Sequence, residues 1–195
     1  MSGRRAVFVD RDGVINELVP DSISGLPESP LRTRDVVLID GAGAALRRLA
    51  GAGFLLVGVS NQPAAAKGKV PVEQLAAVQS RVLELLAAQG VRFDEFRICL
   101  HHPDGVVSDL SGACACRKPA PGMLLDAART LGIDLAGSWM IGDTDGDIMA
   151  GKAAGCKTIL VRHRGSEHKR GNDTKADILV PTLDDAATLL SRSNP

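Results

Sequence analysis

Five short stretches carry side chains that can do chemistry. Asp10-Arg11-Asp12-Gly13 places two carboxyls at i and i+2, beside a glycine that permits a tight turn. On a chain leaving a strand, such a pair reaches one substrate from different sides. One acid can serve as nucleophile and the other as general acid–base. In isolation, however, a D-x-D pair is a common solvated turn. Ser60-Asn61-Gln62 is the second stretch, and Gly142-Asp143-Thr144-Asp145-Gly146-Asp147 the third. The third could simply cap a following helix through Asp145 or Asp147. It shares Asp-x-Asp-x-Asp with a calcium loop but lacks the following Gly and the closing Glu. Arg117-Lys118-Pro119 supplies two cations, which phosphoryl transfer needs on the transferred oxygens.

The fifth stretch is a cysteine and histidine cluster. Cys99-Leu100-His101 and Cys114-Ala115-Cys116 are separated by twelve residues. Three thiolates and one imidazole make a closed tetrahedral zinc site, and closed sites are structural because no position is left for substrate. His101 is preferred to His102 because Cys99-x-His101 mirrors Cys114-x-Cys116. The alternative is four unrelated residues, with the cysteines as small buried hydrophobes. Cys156 reads that way. Because Cys116 adjoins Arg117 and Lys118, an ion here would also hold both cations at the edge of a site, adding folding free energy to the loop.

These residues need elements to bring them together. Apolar strand-length runs at Ala6–Val9, Phe54–Val59, Phe93–Leu100, Trp139–Ile141, Thr158–Val161 and Asp177–Val180 alternate with helical patterns. The helices are expected over Gly41–Ala52, Val72–Ala88, Met123–Leu131, Asp147–Ala154 and Leu183–Ser191. Strands apolar on both faces, alternating with helices, imply an α/β doubly wound parallel sheet. Ligands bind such sheets beyond the carboxyl ends of the strands. The first three acidic or polar stretches each follow a strand, so four or five carboxylates would converge on one edge. That crowding calls for a hard cation, and oxygen ligands suit Mg²⁺. Glu17–Arg34 and His163–Lys175 are expected as loops, the second a charged surface loop.

A chain of 195 residues can bury a real core, and no repeat or linker divides it. One domain over 1–195 is expected, with a zinc loop over 99–116. Lys plus Arg and Asp plus Glu are 23 each, so no basic field is present to hold nucleic acid. The first residues are too poor in apolar side chains for a signal-peptide core, and no apolar run is long enough to span a bilayer. A cytoplasmic, monomeric protein without nucleic-acid or membrane partners is expected.

Taken together, Asp10-Arg11-Asp12-Gly13-Val14-Ile15-Asn16, Ser60-Asn61-Gln62, Cys99–Cys116, Arg117-Lys118-Pro119-x-Pro121-Gly122-Met123 and Gly142-Asp143 resemble the haloacid dehalogenase superfamily. The likeness is to its zinc-containing branch of heptose bisphosphate and histidinol-phosphate phosphatases, and it runs from about Ala6 to Leu190. The long zinc loop favours the heptose enzymes. This resemblance implies a Rossmann-like fold with a minimal cap and hydrolysis of a small sugar phosphate through an aspartyl-phosphate. Asp10 would be the nucleophile and Asp12 the general acid–base. Mg²⁺ would be held by Asp10, the backbone carbonyl of Asp12, and Asp143, with Asp147 in support. Ser60, Arg117 and Lys118 would bind the transferred phosphoryl, with further phosphate or substrate contacts from Arg11, Asn61, Gln62 and Lys67. Zinc would sit on Cys99, His101, Cys114 and Cys116. The 7-phosphate of D-glycero-D-manno-heptose 1,7-bisphosphate is the expected target, with histidinol phosphate as the alternative. A zinc-stabilised binding module without catalysis predicts a damaged motif, and Asp10, Asp12, Lys118 and Asp143 are all intact.

The chain departs from the family pattern where substrate is selected. Pro63-Ala64-Ala65-Ala66-Lys67-Gly68 stands where Ser-Gly-Ile-Ala-Arg-Gly is usual, and Lys is the poorer bidentate phosphate ligand. Thr144 stands where the heptose enzymes often have Lys, and the segment after Asp12 is longer than usual.

Overall fold

The computed structural model describes residues 3–22, 24–171 and 175–192. Its centre is a six-stranded sheet with every neighbouring pair parallel. In chain order the elements are β1 (Ala6–Val9), β2 (Val19–Pro20), β3 (Pro27–Glu28), α1 (Ala42–Gly51), β4 (Leu55–Asn61) and α2 (Val72–Ala88). They continue as β5 (Glu95–Cys99), α3 (Gly122–Leu131), β6 (Trp139–Gly142), α4 (Asp145–Ala154), β7 (Lys157–Val161), β8 (Ile178–Val180) and α5 (Leu183–Arg192). Across the sheet the order is β5-β4-β1-β6-β7-β8. The order reverses at β1, so the crevice between the carboxyl ends of β1, β4 and β6 is where such a sheet holds a ligand.

Strand alternation divides the interior into two cores. Val7 and Val9 pack on one side of the sheet with Leu46 and Leu49 of α1, Val78 and Val82 of α2, and Leu190 of α5. Ala6 and Phe8 face the other way, against Met123, Leu124 and Ala127 of α3 and Ala150 of α4. Each helix turns its apolar stripe inward: Ala42, Ala45, Leu46 and Leu49 of α1 are buried at helical spacing. Phe8 is fully buried at the sheet centre, so truncating it to Ala would cost about 3–5 kcal/mol. Cys156 is buried in the second core, as its sequence setting implied.

The expected strands and helices are all present, with ends shifted by one or two residues. Two expectations are corrected. Glu17–Arg34 is not plain loop, since β2 and β3 pair as a small antiparallel hairpin. Strands of two residues are too short to leave a period in the sequence. Nor is 163–175 only a surface loop. Arg164–Lys169 forms a 3₁₀ turn whose Ser166 is fully buried. Residues 172–174 of that stretch lie outside the described residues.

Candidate active site

Asp10 follows β1, Asp143 follows β6 and Asp147 lies in the first turn of α4. Parallel strands bring their carboxylates within 4.8 Å of one another, and all three residues are buried. The backbone makes room for this. Gly13 has φ +82°, and a Cβ there would fall 2.1 Å from Asp143 Oδ2. A Cβ on Gly142 would fall 2.2 Å from that of Asp147. Asp147 closes a capping box with Thr144, accepting its backbone N–H at 3.0 Å on Oδ2. Its other oxygen, Oδ1, lies 2.6 Å from Lys118 Nζ. Asp147 therefore caps the helix with one oxygen and faces the acid cluster with the other.

Lys118 is the one ammonium inside the acid group among the described residues, and it is only 5% exposed. Its Nζ also lies 2.8 Å from Asp10 Oδ1 and donates to the Val59 carbonyl at 2.7 Å. Asn61 fixes its backbone, accepting the Lys118 N–H at 3.1 Å and donating to its carbonyl at 2.9 Å. Burial alone would weaken the ammonium, but Asp10 and Asp147 outweigh it and push its pKa up. Asp10 is driven well above the usual carboxylate range by burial and then by Asp147. Burial and Asp147 likewise push Asp143 up to about 7. With all three carboxylates ionised, one ammonium would leave two negative charges in a buried space, which is why burial and mutual repulsion raise Asp10 and Asp143. Asp143 Oδ1 is buried with no hydrogen-bond partner among the described residues. An all-oxygen donor set with that deficit fits one divalent hard cation.

Asp12 stands apart from the acid cluster, in a network of its own. Arg11 directs its Nε at both Asp12 oxygens, at 3.3 and 3.2 Å, and its Nη2 at Oδ1, at 3.2 Å. Asn16 Nδ2 donates to Oδ1 at 2.9 Å, and Gln62 Nε2 to Oδ2 at 2.6 Å. Burial raises the proton affinity of Asp12, but the Arg11 guanidinium and the Asn16 and Arg11 hydrogen bonds outweigh it, so the carboxyl is held below its usual range. Asp10 Oδ1 accepts the Arg11 backbone N–H at 2.8 Å. Both its close contacts fall on Oδ1, which leaves Oδ2 without a hydrogen bond among the described residues.

A cavity of about 320 Å³ opens over these groups. Of the residues singled out in the sequence, Asp10, Asp12, Asn61, Lys67, Arg117, Lys118, Asp143 and Asp147 line it. Arg11, Ser60 and Gln62 do not. Alternation along β4 turns Asn61 toward Lys118 and Ser60 to the other face, where Ser60 Oγ accepts from Gln62 Nε2 at 2.9 Å. Arg11 is fully buried behind Asp12. The wall also holds residues that sequence reasoning missed: Leu18, Glu28 and Ser29 of the hairpin segment, and Lys169 of the 3₁₀ turn. Lys169 Nζ pairs with Glu28 Oε2 at 2.7 Å, joining the two segments across the cavity. Ser166, one turn away, donates its hydroxyl to Asp143 Oδ2. The only trace of these in the sequence is that each segment follows a strand of the sheet, the hairpin after β1 and the 3₁₀ turn after β7.

The second metal-ligating group lies beside this wall. Cys99, His101, Cys114 and Cys116 converge, with Sγ–Sγ separations of 3.1, 3.4 and 3.7 Å. His101 Nδ1 lies 3.8 Å from Cys99 Sγ and 3.6 Å from Cys116 Sγ. A tetrahedral ion with bonds of about 2.3 Å to sulfur holds its sulfurs roughly 3.8 Å apart, so the donor set fits zinc. His102 is turned away, its Nδ1 accepting the Asp104 N–H at 3.1 Å. Arg117 Nη1 donates to the His101 carbonyl at 3.2 Å, tying the cluster to the cavity wall.

Known proteins share this architecture. The HAD-hydrolase-like family model matches residues 115–186. A D-glycero-beta-D-manno-heptose-1,7-bisphosphate 7-phosphatase of Yersinia pestis is 37% identical over 181 residues, 92% of each chain. One from Rhodopseudomonas palustris is 40% identical over 152 residues, 78% of this chain and 80% of that one. A crystal structure of D,D-heptose 1,7-bisphosphate phosphatase from B. bronchiseptica, complexed with magnesium and phosphate, superposes with a TM-score of 0.81. That match has 30% identity and covers 97% of this chain and 99% of the other. The chain belongs to the D-glycero-beta-D-manno-heptose-1,7-bisphosphate 7-phosphatase family, among the HAD-like hydrolases.

Proposed function

We propose that this protein is a phosphatase that removes the 7-phosphate of D-glycero-beta-D-manno-heptose 1,7-bisphosphate, acting as one domain over residues 1–195. The observation that carries the reading is the Asp10, Asp143 and Asp147 cluster with Lys118 at its centre, set at the mouth of a cavity with Asp12 two residues from Asp10. The substrate and its anomer are taken from the relatives' names.

Asp10 Oδ2 attacks the phosphorus, and the bond to the sugar oxygen breaks. Lys118 and the Arg11 N–H hold Oδ1, so the attacking oxygen stays aimed at the cavity. Asp12 gives a proton to the departing sugar oxygen. That proton can arrive with the substrate, because phosphate monoesters keep their second proton up to a pKa of about 6. Asp12, ionised again, then takes a proton from the water that hydrolyses the aspartyl-phosphate. Mg²⁺ would be held by Asp10, Asp143 and the Asp12 carbonyl, with Asp147 in support, and would supply charge neutralisation for the phosphoryl oxygens. Zinc on Cys99, His101, Cys114 and Cys116 would stiffen the 99–116 loop and so fix Arg117. Arg117 and Lys67, with Lys169, give the cavity wall cations for the rest of an anionic substrate. Arg11, Ser60 and Gln62 act from behind that wall. No helix among the described residues is long and apolar enough to cross a membrane. A cytoplasmic monomer is the accompanying proposal.

The test is kcat/KM over both anomers of the heptose bisphosphate and histidinol phosphate, with Asp10→Asn as control. The β-heptose bisphosphate should be fastest, and Asp10→Asn should lose at least about 10⁴-fold. Fastest turnover of histidinol phosphate would remove the heptose assignment. Substantial activity in Asp10→Asn would remove the nucleophile.

A further inference from the structure

Helix α2 carries an unexpected residue on its buried stripe. Leu75, Val78, Val82 and Leu86 face the core, and Gln79 is buried among them at 8% exposure. Its Oε1 accepts a hydrogen bond from Arg11 Nη1 at 3.0 Å. The guanidinium cannot accept, so the carbonyl end of the amide must be the one facing it. The amide end then has no partner: Nε2 is buried and unbonded among the described residues. Leu or Met would fill this position without an orphaned donor. As a core residue, Gln79 is therefore a poor choice. It makes chemical sense only through Arg11.

Arg11 gives that contact its meaning. Guanidinium is a rigid plane, and its Nε–Nη2 edge lies opposite Nη1. The first edge is directed at Asp12, at 3.2–3.3 Å. The opposite corner is held by Gln79. Arg11 is fully buried, so bulk solvent does not reach its protons. Fixing Nη1 thus fixes the direction from which the other edge grips the Asp12 carboxylate. Gln62 and Asn16 hold the same carboxylate from two further directions.

We propose that Gln79 is a positioning residue for catalysis, aiming Asp12 at the leaving oxygen through Arg11. This rests on the phosphatase reading above, with Asp12 as the general acid. Gln79 touches neither substrate nor the reacting atoms. It sets the orientation of the acid, and so its effect should depend on how much protonation the leaving group needs. A sugar alkoxide must be protonated as it departs, whereas p-nitrophenolate leaves without help.

The experiment compares kcat/KM, which reports the steps up to leaving-group departure, for heptose 1,7-bisphosphate and p-nitrophenyl phosphate. The variant is Gln79→Met, which keeps the volume and removes the acceptor. The sugar phosphate should lose about tenfold, a fraction of the 10²–10⁴ typical of general acid catalysis, while the aryl phosphate falls by less than about twofold. The melting temperature should fall by at most a few degrees, because the lost hydrogen bond to the buried guanidinium is partly offset by removal of the unpaired amide N–H. Gln79→Asn, which withdraws the amide by one methylene, should give the same split and serves if the Met variant does not fold. Equal losses on both esters, or no loss on the sugar phosphate, would overturn the proposal. A wild-type protein that cleaves both esters keeps the phosphatase reading whatever the variants do. A wild type that cleaves neither removes both readings.

Discussion

Lys118→Met isolates the electrostatic centre of the site. The ammonium lies 2.8 Å from Asp10 Oδ1 and 2.6 Å from Asp147 Oδ1, at 5% exposure. At an effective dielectric of about 20, each contact is a Coulomb attraction of roughly 6 kcal/mol, largely offset by the desolvation of both charges. Removing one partner leaves the carboxylates buried without compensation, which costs about 3–5 kcal/mol. In a protein of this size that is a fall in melting temperature of roughly 6–20 °C. The deficit must depend on pH. Burial and then Asp147 raise Asp10 well above the usual range and Asp143 to about 7, and losing the Lys118 charge raises both further. An acid whose folded-state pKa is raised binds protons more tightly folded than unfolded. Its charge therefore removes stability as pH climbs from the unfolded value of about 4 through the folded one. The variant should be much weaker than the parent at pH 8 and closer to it at pH 5. Urea unfolding followed by circular dichroism, in protein freed of magnesium with its zinc retained, measures this. A deficit equal at both pH values, or none at pH 8, would refute the charge argument. Turnover should fall by about 10²–10³-fold, the usual loss of one preorganised charge at a transferring group.

Two further outcomes follow from the surrounding shells. Cys114→Ala should lose its zinc and melt several degrees lower, with kcat/KM for an aryl phosphate changed by less than about tenfold; metal analysis beside a thermal melt checks this, and lost metal with unchanged melting would contradict a structural clip. Ser166→Ala removes the hydroxyl that donates to Asp143 Oδ2, so the Mg²⁺ concentration for half-maximal rate should rise about 10-fold or more with kcat at saturating Mg²⁺ little altered. An unchanged metal titration would show that the 3₁₀ turn does not support the acid cluster.

The sequence by itself determined the layers of this protein and the polar groups that gather at one edge of its sheet. Apolar runs such as Ala6–Val9 and Leu55–Val59 have one stable use in an α/β pattern, as buried parallel strands, so the chemistry had to sit at their carboxyl ends. Asp10, Asp12, Asp143 and the Cys99-x-His101 and Cys114-x-Cys116 pairs were legible because their types and local spacings carry the chemistry. The β2–β3 hairpin left no readable period, and Ser166 and Lys169 lie in a segment that looked like solvated charge. Only the tertiary structure decided which neighbours each charge keeps. Lys118 is bound to Asp10 and Asp147, 108 and 29 positions away in the chain. Arg11 sits between Asp10 and Asp12 in sequence yet points into the core, where Gln79 holds it. Side-chain direction at a strand end is set by packing across the sheet, and a contact between distant residues has no local pattern from which to be read.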